Sequence, residues 1–434
     1  MLSKSDNERM TRVGRGTPMG EMLRRYWLPA LMSAEVAEPD GAPVRVQLLG
    51  ERLLAFRDTE GRVGLFEEFC PHRRASLYYG RNEDCGLRCV YHGWKFNREG
   101  VCVDLPSEPP HSLFKEKIRV PAYPTFEAGG LIWAYLGPTE AMPPAPRFVW
   151  TQLPPDQRMV AKVLYECNYV QAVENEIDLM HGVFLHRRLS DEPGQSSRSR
   201  SGLSPSHPLV KNPPYEVAIQ PTVYGFRNIG KVPLGEGKQA IHVQPVVMPF
   251  YSFTPRMPGE EMLFHAYVPR DDFSTWSYDI HFSLEHAIDP EVPIEWRGLW
   301  VDERYRKLRN VDNDYLLDRE VMQKENFSGI LGISNQDSAV IESMGPIVDR
   351  SLERLGTSDR SIIAYRQMLL KSLDRFQTGG VPFSLEQGFP YEKIWSKGSI
   401  CKEDAEWQEA CPLEAEFRRP SEESFVLEGE EGVL

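Results

Sequence analysis

The stretch CPHRRASLYYGRNEDCGLRCVYHGWKF, residues 70–96, decides the fold of the first part of the chain. It contains three of the seven cysteines and two of the ten histidines. Cys70-x-His72 is followed, after sixteen residues, by Cys89-x2-His92. Thiolates and imidazoles are the ligands that zinc ions and iron–sulfur clusters prefer in proteins. The stretch therefore predicts a metal-binding module built from two short loops.

The order of the ligands separates these two kinds of metal site. Structural zinc sites usually keep like ligands together, as C-x2-4-C and H-x3-5-H pairs. A Rieske [2Fe–2S] cluster instead needs two cysteines on one iron and two histidines on the other. Each short pair here is mixed, which favours a Rieske cluster over zinc. Gly93 suits a tight turn, and Cys85, without a partner at ligand spacing, is predicted to be a small buried hydrophobic residue.

The composition of the whole chain is that of a globular protein. Its 434 residues are 41% hydrophobic and 26% charged, enough for a large core in two or more domains. The net charge of −13 argues against a general nucleic-acid-binding protein. No apolar run approaches the roughly 18–20 residues that span a bilayer, and the N-terminus lacks the apolar segment of a secretory signal. With an odd number of cysteines as well, we expect a cytoplasmic protein.

Residues 42–136 read mostly as strands. VRVQLLG and RLLAFRD flank a turn at Gly50, and WKFNREGVCVDL predicts a hairpin that turns after Asn97. LIWAYLG has the pattern of a buried strand. Six prolines then follow between residues 138 and 155, a density that breaks both helices and strands. We therefore predict a domain boundary in this segment.

The boundary divides the chain into an N-terminal domain over residues 1–148 and a second domain over residues 149–434. Separate blocks of helix and strand in the second domain indicate the α+β class. Helices are predicted over residues 166–181, 293–327 and 335–376, and antiparallel strands over residues 215–285. A segment rich in Ser, Pro and Arg, residues 187–214, is predicted to be a surface loop or, alternatively, a lid over a nearby site.

A second constellation of polar residues lies in the first predicted helix. Polar side chains recur there every three or four residues, at Asn168, Gln171, Glu174, Asp178 and His181. Such a stripe is usually the solvated face of an amphipathic helix. A solvated stripe favours Lys, Arg and Glu, however, whereas this one is rich in Asn, Gln, Asp and His. Its composition therefore favours a buried functional face.

His181 and His186 form a candidate pair of metal ligands. Five helical steps place them about 140° apart, so they do not share an ion on a straight helix. Gly182 permits a break in the helix between them, which would let both imidazoles reach one ion. Two histidines and one carboxylate form the facial triad of non-heme Fe(II) enzymes.

The motifs CPHR, CVYHGWKF and D-x2-H-x4-H, the last running from Asp178 to His186, together resemble Rieske non-heme iron ring-hydroxylating oxygenases. The resemblance is to the α (terminal oxygenase) subunits of the phthalate-dioxygenase-like group and covers most of the chain. It implies an all-β Rieske domain followed by a helix-grip, START-like catalytic domain with an antiparallel sheet. It also implies Cys70, His72, Cys89 and His92 as the ligands of the [2Fe–2S] cluster.

The same resemblance implies a mononuclear Fe(II) site. Its ligands would be His181, His186 and a carboxylate from the segment NQDSAVIESMGPIVDRSLERLG, residues 335–356. Asp337 is the first choice, while a helix N-terminal role is the alternative reading of that residue. Glu342 and Asp349 are weaker candidates.

The family assembles as a head-to-tail trimer or a stacked hexamer, in which the cluster of one subunit lies beside the iron of the next. Asp178 would then bridge His92 of one chain and His181 of the other, and Asn168 is the second candidate catalytic residue. A flavin/iron–sulfur reductase would pass electrons from NAD(P)H to the cluster. O2 and a small aromatic substrate would react at the iron, without a nucleic-acid or membrane partner.

The substrate implied first is an aromatic carboxylate of the phthalate or benzoate type, converted to a cis-dihydrodiol. A carboxylate needs a cation or strong hydrogen-bond donors near the iron, and Arg198, Arg200, Arg227 and His242 are available. Alternatives are a Rieske monooxygenase that performs O- or N-dealkylation or attacks a carboxylated diaryl ether. Other classes are a Rieske electron carrier without oxygenase activity and a zinc-stabilised binding protein.

Overall fold

The computed structural model describes residues 2–192, 202–213, 217–254, 260–385 and 389–418. The first part of the chain begins with two short helices, and its other regular elements are strands and short 3-10 helices. The helices are α1 (Lys4–Thr11) and α2 (Pro18–Leu23). The strands are β1 (Trp27–Met32), β2 (Val44–Leu48), β3 (Glu51–Arg57), β4 (Val63–Glu67), β5 (Arg81–Glu83), β6 (Gly86–Arg88), β7 (Lys95–Phe96), β8 (Cys102–Asp104), β9 (Thr125–Ala128) and β10 (Leu131–Tyr135).

The hairpins predicted for this part are confirmed. Strands β2 and β3 pair in antiparallel register across the Gly50 turn, and β7 pairs with β8 across a turn closed by the Gly100 N–H donating to Asn97 O. Strand β10 is buried along its whole length.

Two small sheets carry the predicted cluster loops. They have the orders β2-β3-β4 and β5-β6-β7-β8. Between them lies a separate hydrophobic core that includes Phe56, Phe66, Leu87 and Phe96 together with the candidate ligands Cys70 and Cys89. The module therefore has its own core, and the cysteines are part of it.

The second part of the chain is built on one antiparallel sheet. Its order is β11-β17-β16-β15-β14-β13-β12, with the last strand, β18, pairing with β14. The strands are β11 (Arg158–Tyr165), β12 (Val217–Thr222), β13 (Gly225–Gly235), β14 (Lys238–Val247), β15 (Tyr251–Phe253), β16 (Met262–Pro269), β17 (Thr275–Phe282) and β18 (Lys397–Lys402).

Helices flank this sheet, so the predicted α+β class is confirmed. They are α3 (Tyr169–Ile177), α4 (His181–Leu185), α5 (Pro208–Lys211), α6 (Glu291–Arg297), α7 (Arg319–Lys324), α8 (Ile333–Ser343), α9 (Arg360–Gln377) and α10 (Trp407–Ala410). No described helix is long and apolar enough to cross a membrane.

The prediction of two continuous long helices over residues 293–327 and 335–376 is wrong, because each range contains several shorter helices. Helix α6 ends at Gly298, whose φ of 75° is left-handed. The next helical segment, Val311–Leu316, is a short 3-10 helix, and its residues Asp314 and Tyr315 are also left-handed. Helix α8 stops before Gly345, with a φ of 90°. Apolar periodicity continues across these breaks, but the backbone conformation does not.

An aromatic seam joins the two parts of the chain. Phe148 lies 4.8 Å from Phe264, and Trp150 lies 5.1 Å from the same ring, measured between ring centroids. Strand β10 and the proline-rich segment thus belong to the main core with the large sheet. The division at residue 148 stays a proposal, since the main core crosses it.

Candidate metal centres

The two cluster loops have the same hydrogen-bond pattern. In the first loop, Cys70 N–H donates to Ala75 O and Arg74 N–H donates back to Cys70 O, both at 2.9 Å. In the second loop, Cys89 N–H donates to Trp94 O at 2.8 Å, and Gly93 N–H donates to Cys89 O at 2.9 Å. The fifth residue of each loop is left-handed, with φ values of 61° for Arg74 and 76° for Gly93. The loops therefore present their ligands as a pseudo-symmetric pair.

The thiols of the two loops meet in the core of the module. A hydrogen bond between the Sγ atoms of Cys70 and Cys89 lowers the pKa of Cys89 and raises the pKa of Cys70. Cys89 is thus the thiol of the pair that ionises first. Thiolates are the form that binds iron.

The two imidazoles lie together on the outer side of the thiols. The rings of His72 and His92 are 4.4 Å apart, and Trp94 stacks flat on His72 at 4.4 Å with an interplanar angle of 9°. Nδ1 of His92 is buried and has no hydrogen-bond partner in the described part of the chain. A paired set of thiols, a paired set of imidazoles and an unpartnered ring nitrogen fit a Rieske cluster.

The second candidate centre begins where helix α3 ends. The carboxylate of Asp178 accepts the N–H groups of Met180, at 2.8 Å, and His181, at 3.3 Å. This turn stops α3 at Ile177 and starts α4 at His181. Gly182 lies within α4, so the predicted interruption between the two histidines is not at this residue; the chain breaks before His181, and α4 ends before His186.

Both histidines therefore belong to α4. His186 is its C-terminal cap, with a non-helical backbone of φ −96° and ψ 13°. This departure from helical geometry brings the Nε2 atoms of His181 and His186 to 3.2 Å. One short helix thus supplies both imidazoles.

Helix α8 supplies the carboxylate. Lys307 Nζ donates to the backbone oxygen of Ser334, at 2.5 Å, and to the hydroxyl of Ser338, at 2.6 Å. These buried contacts fix the first turn of α8, on which Asp337 lies. Gly298 and Gly332 allow α6 to approach this end of α8, since a Cβ on Gly332 would lie 2.8 Å from the Cα of Gly298.

The three candidate ligands converge on one point. Oδ1 of Asp337 lies 3.2 Å from Nε2 of His186 and 3.5 Å from Nε2 of His181. With bonds of about 2.1 Å to one ion, ligands 90° apart are separated by roughly 3.0 Å. The triangle has the size that one ion requires, and it is the one three-ligand group of His, Cys, Asp or Glu found within the described ranges.

The far side of each imidazole is held by a different acceptor. Nδ1 of His181 is 2.5 Å from the backbone oxygen of Asp178, and Nδ1 of His186 is 2.7 Å from Oε1 of Gln336. Acceptors at Nδ1 place the ring protons there and leave both Nε2 lone pairs directed at the third ligand. The residues therefore fit a mononuclear Fe(II) ion.

The charges at this centre favour cation binding. Burial acts against ionisation of Asp337, but His186 and His181 outweigh it and hold the pKa of the carboxyl well below its usual range. Burial also acts to lower the pKa of His181, but the hydrogen bond to Asp337 prevails and raises it to about 9. An ion that binds here takes the place of this proton.

The other residues of the predicted polar stripe do not join the ligands. Asn168 is the N-cap of α3, about 13 Å along the helix from its other end, and its Nδ2 donates to the backbone of Thr11 and Asp272. Gln171 and Glu174 are buried and pair with the segment that follows α8. The stripe is buried as expected, but its N-terminal half holds the fold together.

The weaker carboxylate candidates also lie apart from the triangle. Glu342 accepts hydrogen bonds from Glu166 N–H and the hydroxyl of Tyr315. Asp349 caps a short 3-10 helix and faces Lys4. Neither is among the clustered ligand atoms.

The substrate-binding candidates fall on different faces of the large sheet. Arg227 is buried and donates to Gln220 and the backbone of Cys411, away from α3. His242 lies on the opposite face, the one whose Asn228 side chain contacts the C-terminal end of α3. Burial lowers the pKa of His242. Arg198 and Arg200 lie outside the described residues.

Three residues of these centres were missed at the level of sequence. Trp94, Gln336 and Lys307 each support a ligand from outside the ligand set. Trp94 lies two residues after His92, and this tryptophan within the motif CVYHGWKF is the local sequence feature that could have indicated its role. The partners of Gln336 and Lys307 lie far away in the chain or across the fold, so no local pattern announces them.

Comparison with known proteins agrees with this arrangement. Residues 26–124 match the Rieske [2Fe-2S] domain family, and residues 134–425 match the family described as LigXa C-terminal domain like. The phthalate 4,5-dioxygenase oxygenase subunit of Pseudomonas putida is 38% identical and aligns over 94% of each chain. The 3-chlorobenzoate-3,4-dioxygenase oxygenase subunit of Comamonas testosteroni is 35% identical over 94% of this chain and 98% of that protein.

Solved structures show the same fold at lower identity. NdmA of Pseudomonas putida CBB5, as a QL mutant with caffeine, superposes with a TM-score of 0.59 at 20% identity, over 82% of this chain and 93% of that one. The two family matches together cover most of the chain, and they contain the cluster loops and the iron triangle respectively. The chain therefore belongs to the family of Rieske [2Fe–2S] oxygenase subunits with a LigXa-like C-terminal domain.

Proposed function

We propose that this chain is a terminal oxygenase component that uses O2 and reductase-supplied electrons to hydroxylate an aromatic carboxylate. The observation that carries the proposal is the presence of two complete ligand sets in one chain, one for a [2Fe–2S] cluster and one for a single Fe(II). An electron carrier needs only the first set, and a zinc-stabilised binding protein would need neither mixed pairs nor the triangle.

Each ligand set has one task. Cys70, His72, Cys89 and His92 hold the cluster, and His181, His186 and Asp337 hold the iron. The bound cluster supplies single electrons, and the bound iron supplies O2 activation. The protein holds the imidazole protons at Nδ1, through Asp178 and Gln336, and buries the carboxylate ligand.

We further propose a head-to-tail trimer, alone or stacked as a hexamer. Exposed apolar side chains surround the cluster loops, among them Tyr91 and Leu113, and others surround α4, among them Phe184 and Phe327. Contact between these two surfaces of neighbouring copies would bury both. Asp178 would then lie between His181 and His92 of the partner subunit and connect the two metals.

The substrate class rests on the relatives. Their names specify phthalate and 3-chlorobenzoate, both aromatic carboxylates. In this chain, His242 stands on the sheet face directed at α3, where an imidazole N–H is available to a carboxylate. We propose cis-dihydroxylation of such a ring as the reaction.

The deciding experiment is product analysis with the holoenzyme. Purified protein, reconstituted with a reductase, NADH and ¹⁸O2, should convert phthalate or a substituted benzoate to a dihydrodiol that carries two ¹⁸O atoms. One ¹⁸O atom in a phenol, or an unlabelled dealkylated product together with an ¹⁸O-labelled aldehyde, would assign monooxygenation instead. NADH oxidation without any oxygenated product across an aromatic panel would refute the proposed function.

Asp337→Ala tests the iron ligand separately. The variant should lose the mononuclear iron while the visible absorption of the cluster stays unchanged, because the two ligand sets share no residue. Iron analysis of the purified protein measures this. Two irons of the cluster plus one further iron per chain in the variant would exclude Asp337 as a ligand.

A further inference from the structure

A group of arginine and aromatic side chains lies beside the first cluster loop and serves neither metal centre. We call it the arginine patch, and its members are Arg45, Arg52, Phe69, Arg74, Tyr78 and Tyr79. Tyr79 is 65% exposed and the side chain of Arg74 is 62% exposed. Phe69 directly precedes the cluster ligand Cys70. The patch is therefore an open surface one residue away from the cluster.

A buried carboxylate beneath the arginine patch holds two of its guanidinium groups in place. The carboxylate of Glu68 is almost completely buried, and it accepts Nε of Arg45 at 3.0 Å and Nε of Arg52 at 2.9 Å. A third hydrogen bond comes from the hydroxyl of Ser76. Two guanidinium groups thus share one buried acceptor, which fixes their positions while the two side chains stay 44% and 57% exposed.

The guanidinium groups also rest on aromatic rings. Arg45 lies 3.7 Å above the ring of Tyr78, and Arg52 and Arg74 lie 4.7 Å and 5.0 Å from the ring of Phe69. Such stacking leaves the outer face of the guanidinium free for a second partner. Flat, rigid and amphipathic side chains of this kind are typical of contact surfaces.

Arg74 occupies a position that would suit glycine better. It is left-handed, with a φ of 61°, and the equivalent residue of the other loop is Gly93. A side chain is disfavoured in this conformation because its Cβ lies too close to the following carbonyl oxygen. An arginine that persists at this cost points to a use for its charge. Its ion pair with Glu67, at 3.8 Å, is too long and too exposed to be that use.

We propose that the arginine patch is the docking surface for an acidic electron-transfer protein that reduces the cluster. The proposal rests on the proposed function and names the partner of the same centre. The chain has a net charge of −13 and would repel an acidic protein at most of its surface. A local excess of guanidinium groups beside the cluster gives such a partner one favourable orientation.

The charged character of the patch distinguishes it from the surface proposed for a second copy of the chain. The latter contains the exposed apolar side chains of Tyr91, Leu113 and Phe114, and apolar residues are typical of the centre of permanent interfaces. Encounters between redox proteins are small and brief, and they depend on charge for their rate. The module thus presents one surface for a lasting contact and another for a transient one.

Two variants of Arg74 test the proposal without loss of the fold. Arg74→Gly removes the charge and the backbone strain together, and Arg74→Glu reverses the charge. Reduced plant-type [2Fe–2S] ferredoxin, an acidic protein, is the electron donor in stopped-flow measurements of cluster bleaching at low ionic strength. The second-order rate should fall about threefold for Arg74→Gly and about tenfold for Arg74→Glu, and its decrease with added salt should become less steep.

Lys393→Glu is the matched control. It makes the same change in net charge as Arg74→Glu, at an exposed ion pair with Glu416 in the second part of the chain. Its rate should equal that of the wild type, and dithionite should bleach the cluster equally in all variants. Wild-type rates for both Arg74 variants, or an equal loss in Lys393→Glu, would overturn the proposal.

Sedimentation of the same variants tests whether a second copy of the chain, rather than an electron donor, binds the arginine patch. An unchanged subunit assembly is expected, while dissociation of Arg74→Glu would assign the patch to a contact between copies and overturn the docking role. Single-turnover product formation with dithionite-reduced protein keeps the proposed function separate. If the Arg74 variants form product and ferredoxin reduces their clusters at the wild-type rate, the docking surface is refuted while the proposed function stands.

Discussion

Gln336 precedes Asp337 in the chain, and its side chain accepts the Nδ1 proton of His186 at 2.7 Å while its Nε2 donates to Ile330 O at 2.8 Å. Two adjacent residues of one helix thus orient one ligand and supply another. His181 receives the same support from a backbone oxygen, which substitution of the side chain does not remove. At the residue scale, Gln336 is therefore the side chain that sets the direction of the His186 imidazole.

Replacement of Gln336 by Leu should weaken metal binding without removing a ligand. Loss of an acceptor behind a ligating histidine typically costs about 10–100-fold in affinity. Calorimetric titration of Co²⁺ into protein stripped of mononuclear iron measures this. Gln336→Glu keeps an acceptor and should bind Co²⁺ at least as tightly as the wild type. Equal affinities for the wild type and the Leu variant would refute the orienting role.

Asp178→Asn should separate the local role of this residue from its proposed bridging role. An amide oxygen can still accept the N–H groups of Met180 and His181, so both metals should stay bound. The loss of the negative charge between the two imidazoles should reduce turnover by two orders of magnitude or more, measured as substrate-dependent NADH oxidation. Turnover close to that of the wild type would remove Asp178 from the path between the metals.

At the scale of elements, helix α3 is fixed by charges buried beneath it. Glu174 accepts two hydrogen bonds from Nε and Nη2 of Arg350, at 3.0 and 2.8 Å, and one from Arg366 at 2.6 Å. Arg350 follows α8, and Arg366 lies on α9. One carboxylate thus joins α3 to α9 and to the segment that follows α8.

Glu174→Gln should destabilise the protein by about 3 kcal/mol at pH 7, because removal of one buried partner leaves two guanidinium groups without it. Burial opposes ionisation of Glu174, but Arg350 and Arg366 prevail and lower its pKa in the folded state. Its contribution is therefore complete above the unfolded pKa of about 4.3 and is lost as the pH falls further.

Guanidinium denaturation at several pH values checks this prediction. The difference between wild type and variant should stay constant from pH 7 to pH 5 and shrink below about pH 4.3. Glu320→Gln, at an exposed pair with Lys324, is the control and should change stability by less than about 0.5 kcal/mol. A difference independent of pH down to pH 3 would contradict the role of the charge.

At the scale of the whole molecule, the described residues form a main core, a separate core in the cluster module and a small third cluster around Ile229 and Ile241. The cluster module has its own core, and the aromatic seam around Phe148 fixes the N-terminal strands to the large sheet. Among the exposed apolar side chains, one group lies at the cluster loops, including Tyr91 and Leu113, and another at α4, including Phe184 and Phe327. Since each surface belongs to a different metal centre, assembly of copies is the step that would unite the centres.

Leu113→Glu should weaken that assembly. Leu113 is 68% exposed in the single chain, and a carboxylate buried in an interface without a partner costs several kcal/mol, of order 3 or more. Sedimentation velocity should show dissociation to single chains, with the cluster spectrum retained and turnover lost. Leu352→Glu changes an equally exposed side chain elsewhere and should leave the assembly intact. Unchanged sedimentation of Leu113→Glu would exclude this surface from the interface.

The sequence was most informative where the chemistry is local. The cluster loops, the hairpins and the D-x2-H-x4-H motif each lie within about twenty-five residues, so their spacing carries the geometry. The break before His181 was placed wrongly because the carboxylate of Asp178 caps the backbone, a contact that helical periodicity does not represent. The support from Lys307 and Gln336 depends on packing between distant segments, and no pattern of one segment encodes it.

The two ligand sets differ in how much chain separates their members, and this difference imposes a sequence of events during synthesis. The four cluster ligands span residues 70–92, whereas the iron ligands span residues 181–337. At about 5–20 residues per second, a ribosome needs on the order of 10–50 seconds to pass from His92 to Asp337. The cluster module can close and accept its inorganic core during this interval, while the iron centre waits for α8 to emerge. The proposed cluster ligands are therefore all present in the growing chain before the proposed iron ligands are complete.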